Sequence, residues 1–358
     1  MVVERILNKI GVLPYLRHRW REDQQRSSEK VEARFDKHIA TVATRLEKLD
    51  TKLDKIPRPP VDADQRLAVL EQSLEAMARK VYRLQAALQF NAEHRERRHG
   101  SHIFDEARAA GHVAAAIDRA ELDTQPMAHL VIDALMPRDT YDALVDAIPP
   151  VALFSDKDQR KQNFKLHKAE ITPDWTAVAL SFMEDVVIPR MIVPGLLQKF
   201  DAHVRATYVK KYGPTLGPQV TALPHIATAG RLMLRRPGYH LDPHLDPDRV
   251  VVTCLIYFAR PGDDESFGTS FYRIDGNPVI NRTNTFFPVN EGYRCDLVKT
   301  APFRPNTAVA FVNAGGAHGA GIPTSAPAGT ERYAYQFYVS PEPAALAALI
   351  PSAVASVE

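Results

Sequence analysis

The sequence has only two cysteines, Cys254 and Cys295, among 358 residues. Two thiols cannot build a disulfide scaffold or an all-cysteine metal site, and their scarcity fits a reducing, cytoplasmic compartment. Long apolar runs are also missing. No stretch approaches the ~18 residues that a membrane span needs, which argues against an integral helical membrane protein. Near the start, Glu4, Arg5 and Lys9 interrupt any apolar core and no small-residue cleavage site follows, so no secretory leader is expected. The glycine fingerprints of dinucleotide-binding and P-loop folds are absent, since Gly315-Gly316 lacks the strand-to-helix context that cradles phosphate. A His-Glu-x-x-His arrangement is absent too, which removes the usual support for a zinc hydrolase. Neither sign of charge dominates: 45 Lys+Arg face 43 Asp+Glu, a net of +2, and no nucleic-acid partner is expected.

What is present is unevenly spread. Residues 1–100 hold 36 charged side chains with a net of +6, and the other 258 hold 52 with a net of −4. Within the charged part, Ile39, Val42, Leu46, Leu49, Leu53 and Ile56 alternate in steps of 3 and 4, an apolar a/d seam. Leu67, Leu70, Leu74, Met77, Val81, Leu84 and Leu88 resume the pattern. Between them Pro57, Pro59 and Pro60 break the helix, because proline removes an amide donor and clashes with the preceding turn. So narrow a seam is the pattern of helix-to-helix pairing, and a homo-oligomer is expected; a helical arm folded on its own domain is the alternative. Residues 1–20 mix apolar positions with Arg5, Lys9, Arg17 and Arg19, which suits docking on protein or peripheral contact with an anionic membrane surface. His94, His99 and His102 lie among Arg95, Arg97, Arg98 and Gly100, the composition of a solvated linker.

The pattern changes near residue 125. Residues 127–147 suggest a short strand and then a helix, and 175–205 carry helical spacing interrupted by Pro189 and Pro194. Beyond 229 the segments 231–236, 249–258, 269–274, 293–298, 307–312 and 333–339 are short, β-branched and aromatic, with turn residues between them. This is the pattern of an antiparallel sandwich or small barrel. The expected organisation is a basic amphipathic segment at 1–28, a coiled coil at 29–100 broken at Pro57–Pro60, and a helical linker at 101–124. A β domain at 125–342 and a tail at 343–358 follow.

Candidate ligands sit in the run Gly238-Tyr239-His240-Leu241-Asp242-Pro243-His244-Leu245-Asp246-Pro247. A His-x-Asp pair puts imidazole and carboxylate on one face of an extended chain, because side chains alternate with period two. With a distant second histidine such a pair makes the facial triad of non-haem Fe(II). Among 13 histidines the pair alone can arise by accident, and here it occurs in two frames, His240/Asp242 and His244/Asp246.

Four features recur in order: GYHLDPHLDP, the strand VVVTCLIYF, then FGTSFYR, and PNTAVAFVNAGGAHGAGI leading to ERYAYQFYV. Together with HLVIDALMPRDTYDALVDAIP, this resembles the prolyl 4-hydroxylase-like branch of the Fe(II)- and 2-oxoglutarate-dependent oxygenases, over residues 125–340. The resemblance implies an α+β chain whose main domain is a double-stranded β-helix, jelly-roll or cupin-like, with flanking helices and a preceding coiled coil. It implies that His244, Asp246 and His318 hold the metal, since Pro243 precedes only His244 of the two frames. Arg332, fourteen residues after His318, would bind the far carboxylate of 2-oxoglutarate, and Tyr257 and Thr253 share the face that could reach it. Gly268-Thr269 stands where the family often has Gly-Gly-Thr, with Phe267 replacing the first glycine. The cofactors implied are Fe(II), 2-oxoglutarate and O2, with ascorbate as an auxiliary reductant. The activity implied is hydroxylation of an unidentified substrate (peptidyl proline, another amino acid, a small molecule or a glycan-related compound) with release of succinate and CO2. Loops 259–268 and 275–288 are candidate lids. A coiled-coil scaffold carrying an inactive β domain is the alternative. Because the β domain has its own core, a chain beginning near residue 120 is expected to keep its turnover.

Overall fold

A computed structural model of the chain describes residues 63–99, 103–155, 158–276 and 283–350. The 1–28 segment, the 39–56 seam, the Pro57–Pro60 break, His102, part of the 275–288 loop and the end of the tail lie outside the described residues. The chain divides into two units, Met1–Val81 and Tyr82–Glu358. The described part of the first unit belongs to helix α1 (Ala63–Glu93), along which the second apolar seam runs. On it Leu70 is exposed, while Leu74, Met77 and Val81 are half-buried.

The second unit is a jelly-roll-like pair of antiparallel sheets with helices on one side. The major sheet has six strands: β1 (His129–Ile132), β2 (Lys161–Phe164), β3 (His225–Arg235), β5 (Val252–Phe258), β8 (Pro305–Val312) and β10 (Arg332–Pro341), in the order β1-β8-β5-β10-β3-β2. The minor sheet has β4 (His240–His244), β6 (Ser270–Ile274), β7 (Cys295–Thr300) and β9 (Ala317–Gly321), ordered β4-β9-β6-β7.

Period two explains why the central strands are apolar throughout. Cys254, Ile256 and Phe258 of β5 point to the helices, as do Tyr333, Tyr335 and Phe337 of β10. Leu255, Tyr257 and Ala334 point inward, where they meet Phe271 of the minor sheet. A strand covered on both faces has no use for polar alternation.

The helices are α2 (Glu106–Arg119), α3 (Arg138–Asp146), α4 (Asp174–Ser181), α5 (Val193–Lys199), α6 (Asp201–Thr221) and α7 (Pro343–Leu349). Between α4 and α5 the helical path continues through Phe182–Ile192 in wider, π-type turns that contain Pro189. Pro189 therefore does not interrupt this segment as the sequence suggested, because a locally widened turn tolerates the missing donor. The segment read as linker contains α2, whose Val113 and Ile117 are fully buried in the same core as the outer face of the major sheet. Ala87 and Phe90, from the end of α1, join that core. No helix among the described residues is long and apolar enough to cross a membrane.

Candidate metal centre

The minor sheet carries two neighbouring imidazoles, their planes tilted by 47°. His244 ends β4, His318 lies in β9, and the two are directly paired across the antiparallel ladder. Their ring centroids stand 4.1 Å apart. Asp246 follows just beyond β4, with Oδ2 3.5 Å from Nε2 of His318 and Oδ1 4.0 Å from Nε2 of His244. One donor atom from each residue falls within 4.8 Å of the other two, and all three residues are buried. Donors bound at about 2.0–2.2 Å to one ion stand roughly 3 to 4 Å apart, so the set is spaced to share a metal.

Protonation favours the same reading. Burial lowers the pKa of both imidazoles: for His318, helped by the nearby His244, to about 3, and for His244 with a smaller contribution from Lys161. Both rings therefore keep a lone pair at neutral pH. Nδ1 of His244 lies 2.9 Å from the carbonyl of Asp242, which can only accept, so the proton sits on Nδ1 and Nε2 is left to coordinate.

Asp246 is held from three directions. Thr253 donates its hydroxyl to Oδ2 at 2.6 Å, and Tyr338 donates to Oδ1 at 3.0 Å. Asn313 accepts the Asp246 amide at 3.1 Å and donates to the carbonyls of Asp246, Pro247 and Val250 at 2.9, 3.3 and 3.2 Å, which ties down the turn after the ligand. Thr253, expected among the cosubstrate contacts, thus rests on the carboxylate of the candidate metal set. Tyr338 and Asn313 were not singled out in the sequence. The signal for Asn313 was its place at the end of a buried strand, whereas Tyr338 looked like one more aromatic in ERYAYQFYV.

A second buried feature lies on the inner face of β10. Arg332 is 2% exposed, and its guanidinium sits 5.2 Å from the ring centroids of both Tyr257 and Phe303. Its Nε donates to the carbonyl of Phe267, within the 259–268 loop, but its buried Nη2 makes no hydrogen bond. A buried guanidinium with an unmet donor is the partner that a carboxylate requires. Tyr257 is locked beneath it, donating to Oγ1 of Thr269 at 2.7 Å and accepting the Thr269 amide at 2.9 Å. Gly268 allows this step because a Cβ there would lie 1.6 Å from the carbonyl oxygen of Ala301.

The upstream frame is not part of this centre. His240 and Asp242 are exposed and bonded to each other, Nε2 to Oδ1, at 2.9 Å.

No protein-family model matches the chain, and no curated protein matches its sequence. Solved structures with a similar fold include a prolyl-4-hydroxylase from Pseudomonas putida, 16% identical, with a TM-score of 0.33 over 64% of this chain and 99% of that one. HygX from Streptomyces hygroscopicus, solved with nickel, 2-oxoglutarate and hygromycin B bound, is 14% identical with a TM-score of 0.37, over 60% of this chain and 82% of that one. SnoN, a non-haem α-ketoglutarate-dependent epimerase from nogalamycin biosynthesis, is 11% identical with a TM-score of 0.34, over 65% and 82%.

Proposed function

We propose that the chain is an Fe(II)- and 2-oxoglutarate-dependent oxygenase that hydroxylates its substrate. The observation that carries this reading is a buried set of two neutral imidazoles and one carboxylate in a domain whose inner face also holds Arg332, a buried guanidinium with an unsatisfied donor. Three protein ligands would leave room on the ion for a chelating cosubstrate and O2, which is the arrangement of non-haem Fe(II) oxygenases. When bound, the iron supplies the oxygen chemistry: O2 and 2-oxoglutarate become succinate, CO2 and one oxygen atom inserted into a substrate C–H bond.

The chain's own residues set the stage. His244, Asp246 and His318 would hold the ion, while Thr253 and Tyr338 keep the Asp246 carboxylate turned to it. Arg332 would take the distal carboxylate of 2-oxoglutarate as a fork, with Tyr257 and Phe303 excluding water from that contact. A scaffold without turnover has no need of a metal-competent set at the centre of its core. The test is to supply Fe(II), 2-oxoglutarate and O2 and measure succinate. Release that depends on iron and O2 supports the reading, and none under any metal loading would remove it.

A further inference from the structure

Beyond Arg332, the inner face of the major sheet carries more positive charge than a metal and one cosubstrate can use. Lys161 of β2 is the direct cross-strand partner of Arg235 in β3, and Arg235 is the direct partner of Arg332 in β10. Three cations thus form one row across three adjacent strands. Like charges directly opposite one another destabilise a sheet unless something answers them. Arg231 belongs to the same face of β3, two alternations before Arg235, and Lys165, in extended backbone directly after β2, continues the face of Lys161 and Asn163.

The surrounding acids form their ion pairs elsewhere, although Asp158 lies near enough to feel the charge of Lys161. Arg236, on the opposite face, pairs with Glu331 at 2.8 Å, and Arg160 pairs with Asp158 at 3.2 Å. Among the described residues no carboxylate forms an ion pair with Lys161, Lys165, Arg231 or Arg235. Arg235 is 3% exposed, and its hydrogen bonds go to neutral acceptors: the carbonyls of Gln162 and Leu234 and the side chain of Asn163. Its buried Nε has no partner at all. A buried cation without a counter-charge is costly, and guanidinium does not escape by deprotonation.

The two buried guanidinia also point apart. Arg332 lies over Tyr257 and Phe303, towards β5, whereas Arg235 lies over Tyr239 at 5.0 Å and reaches Asn163 of β2. One dicarboxylate bound by Arg332 therefore leaves the β2–β3 side unneutralised. That side adjoins the metal centre, because Arg231 donates to the hydroxyl of Tyr338 at 3.3 Å and Tyr338 donates to Asp246.

The geometry points to an anionic substrate, one whose phosphate or carboxylate group is held by Arg231, Arg235, Lys161 and Lys165 while its reacting carbon faces the metal. This deepens the oxygenase reading and rests on it. Phosphate and carboxylate share the recognising chemistry, a planar fork and ammonium groups around an oxyanion.

The test uses full-length protein loaded with Zn(II), which keeps the site inert to O2, and follows binding calorimetrically with and without 2-oxoglutarate. The probes are phenyl phosphate, benzoate and neutral benzyl alcohol. At least one of the two anions should bind saturably with 2-oxoglutarate already in place, and benzyl alcohol should not. Whichever anion binds more tightly names the group. Lys165→Glu, on the accessible rim, should weaken that anion at least ten-fold and 2-oxoglutarate less than two-fold; Arg235→Gln, if it folds, should do the same. Failure of both anions to bind, benzyl alcohol binding as tightly as they do, or anion binding that Lys165→Glu weakens by less than ten-fold, would overturn the inference. Failure of the oxygenase reading shows separately, as a missing 2-oxoglutarate isotherm.

Discussion

Tyr338 reaches Asp246 from the same face of the strand that opens with Arg332, so one strand serves both the buried carboxylate of the candidate metal set and the buried fork. Burial first, and the Asp246 carboxylate second, raise the phenol above its ordinary range, which keeps it a donor at neutral pH. Tyr338→Phe should therefore lower metal affinity by about 10-fold or more, the usual effect of losing a partner that orients a ligand. Competition against a chelator measures it. An unchanged affinity would mean that Thr253 alone orients the carboxylate.

The register of the ligand frame can be tested directly. His244→Ala should abolish metal-dependent 2-oxoglutarate turnover, because water in place of a ligand cannot hold the facial geometry, whereas His240→Ala should retain most of it. His240 is exposed and bonded only locally to Asp242, so its loss leaves the centre intact. A dead His240→Ala beside an active His244→Ala would reverse the assignment.

Arg332→Lys should raise the 2-oxoglutarate requirement by at least ten-fold while metal binding persists. An ammonium lacks the planar fork, and the Nε contact to the Phe267 carbonyl would be lost with it. Titrating 2-oxoglutarate into metal-loaded wild type and variant checks this, and equal affinities would place the carboxylate elsewhere.

How much of this could be read from the sequence depends on whether a strand announces itself. VVVTCLIYF does, since burial on both faces leaves an unbroken apolar run, and it emerges as β5. Lys161–Phe164 does not: its residues are Lys, Gln, Asn and Phe, yet it closes the edge of the major sheet beside β3. Two of its polar residues, Lys161 and Asn163, belong to the charged inner face. β9, Ala317–Gly321, is likewise hidden, because four of its five residues are Ala or Gly and a glycine pair stands beside it. The residues of the candidate metal set could be singled out because His244 and Asp246 share a short motif and His318 follows an apolar strand. Tyr338, Asn313 and the Lys161–Arg235–Arg332 row were not, because each becomes meaningful only when strands distant in sequence are laid side by side.

Glu184 offers a pH-dependent check on the helical layer. It accepts the Tyr335 hydroxyl at 2.6 Å, and burial raises its pKa above the ordinary 4.5. Between 4.5 and the raised value the folded chain binds more protons than the unfolded one, so this group's contribution to stability falls as pH rises through that window and stays lower above it. Glu184→Gln keeps an acceptor for Tyr335 and removes the charge. Its melting temperature should exceed that of wild type at pH 8, and the gap should narrow towards pH 4. A gap that does not change with pH would show that ionised Glu184 carries no penalty.

The compact unit that contains the β sheets begins at Tyr82, upstream of the change in composition near residue 125. Val113 and Ile117 of α2 are fully buried in the core that backs the major sheet, and a Cβ on Gly195 would touch Ile117 at 2.8 Å. Each such side chain contributes about 1.5–3 kcal/mol when buried, against a net stability of about 5–15 kcal/mol for a typical domain. Deleting α2 also uncovers the helices packed on it, so a chain beginning near residue 120 should fail to fold, contrary to the expectation from composition. One beginning at Tyr82 keeps Ala87, Phe90 and α2, and should fold and release succinate. It should also be monomeric by light scattering, whereas the full chain should be oligomeric, because the cut removes the 39–56 seam and the greater part of the 67–88 seam. A monomeric full-length chain would assign the seams to a hairpin within one chain. A stable, active chain from residue 120 would instead show that α2 is dispensable to the β domain.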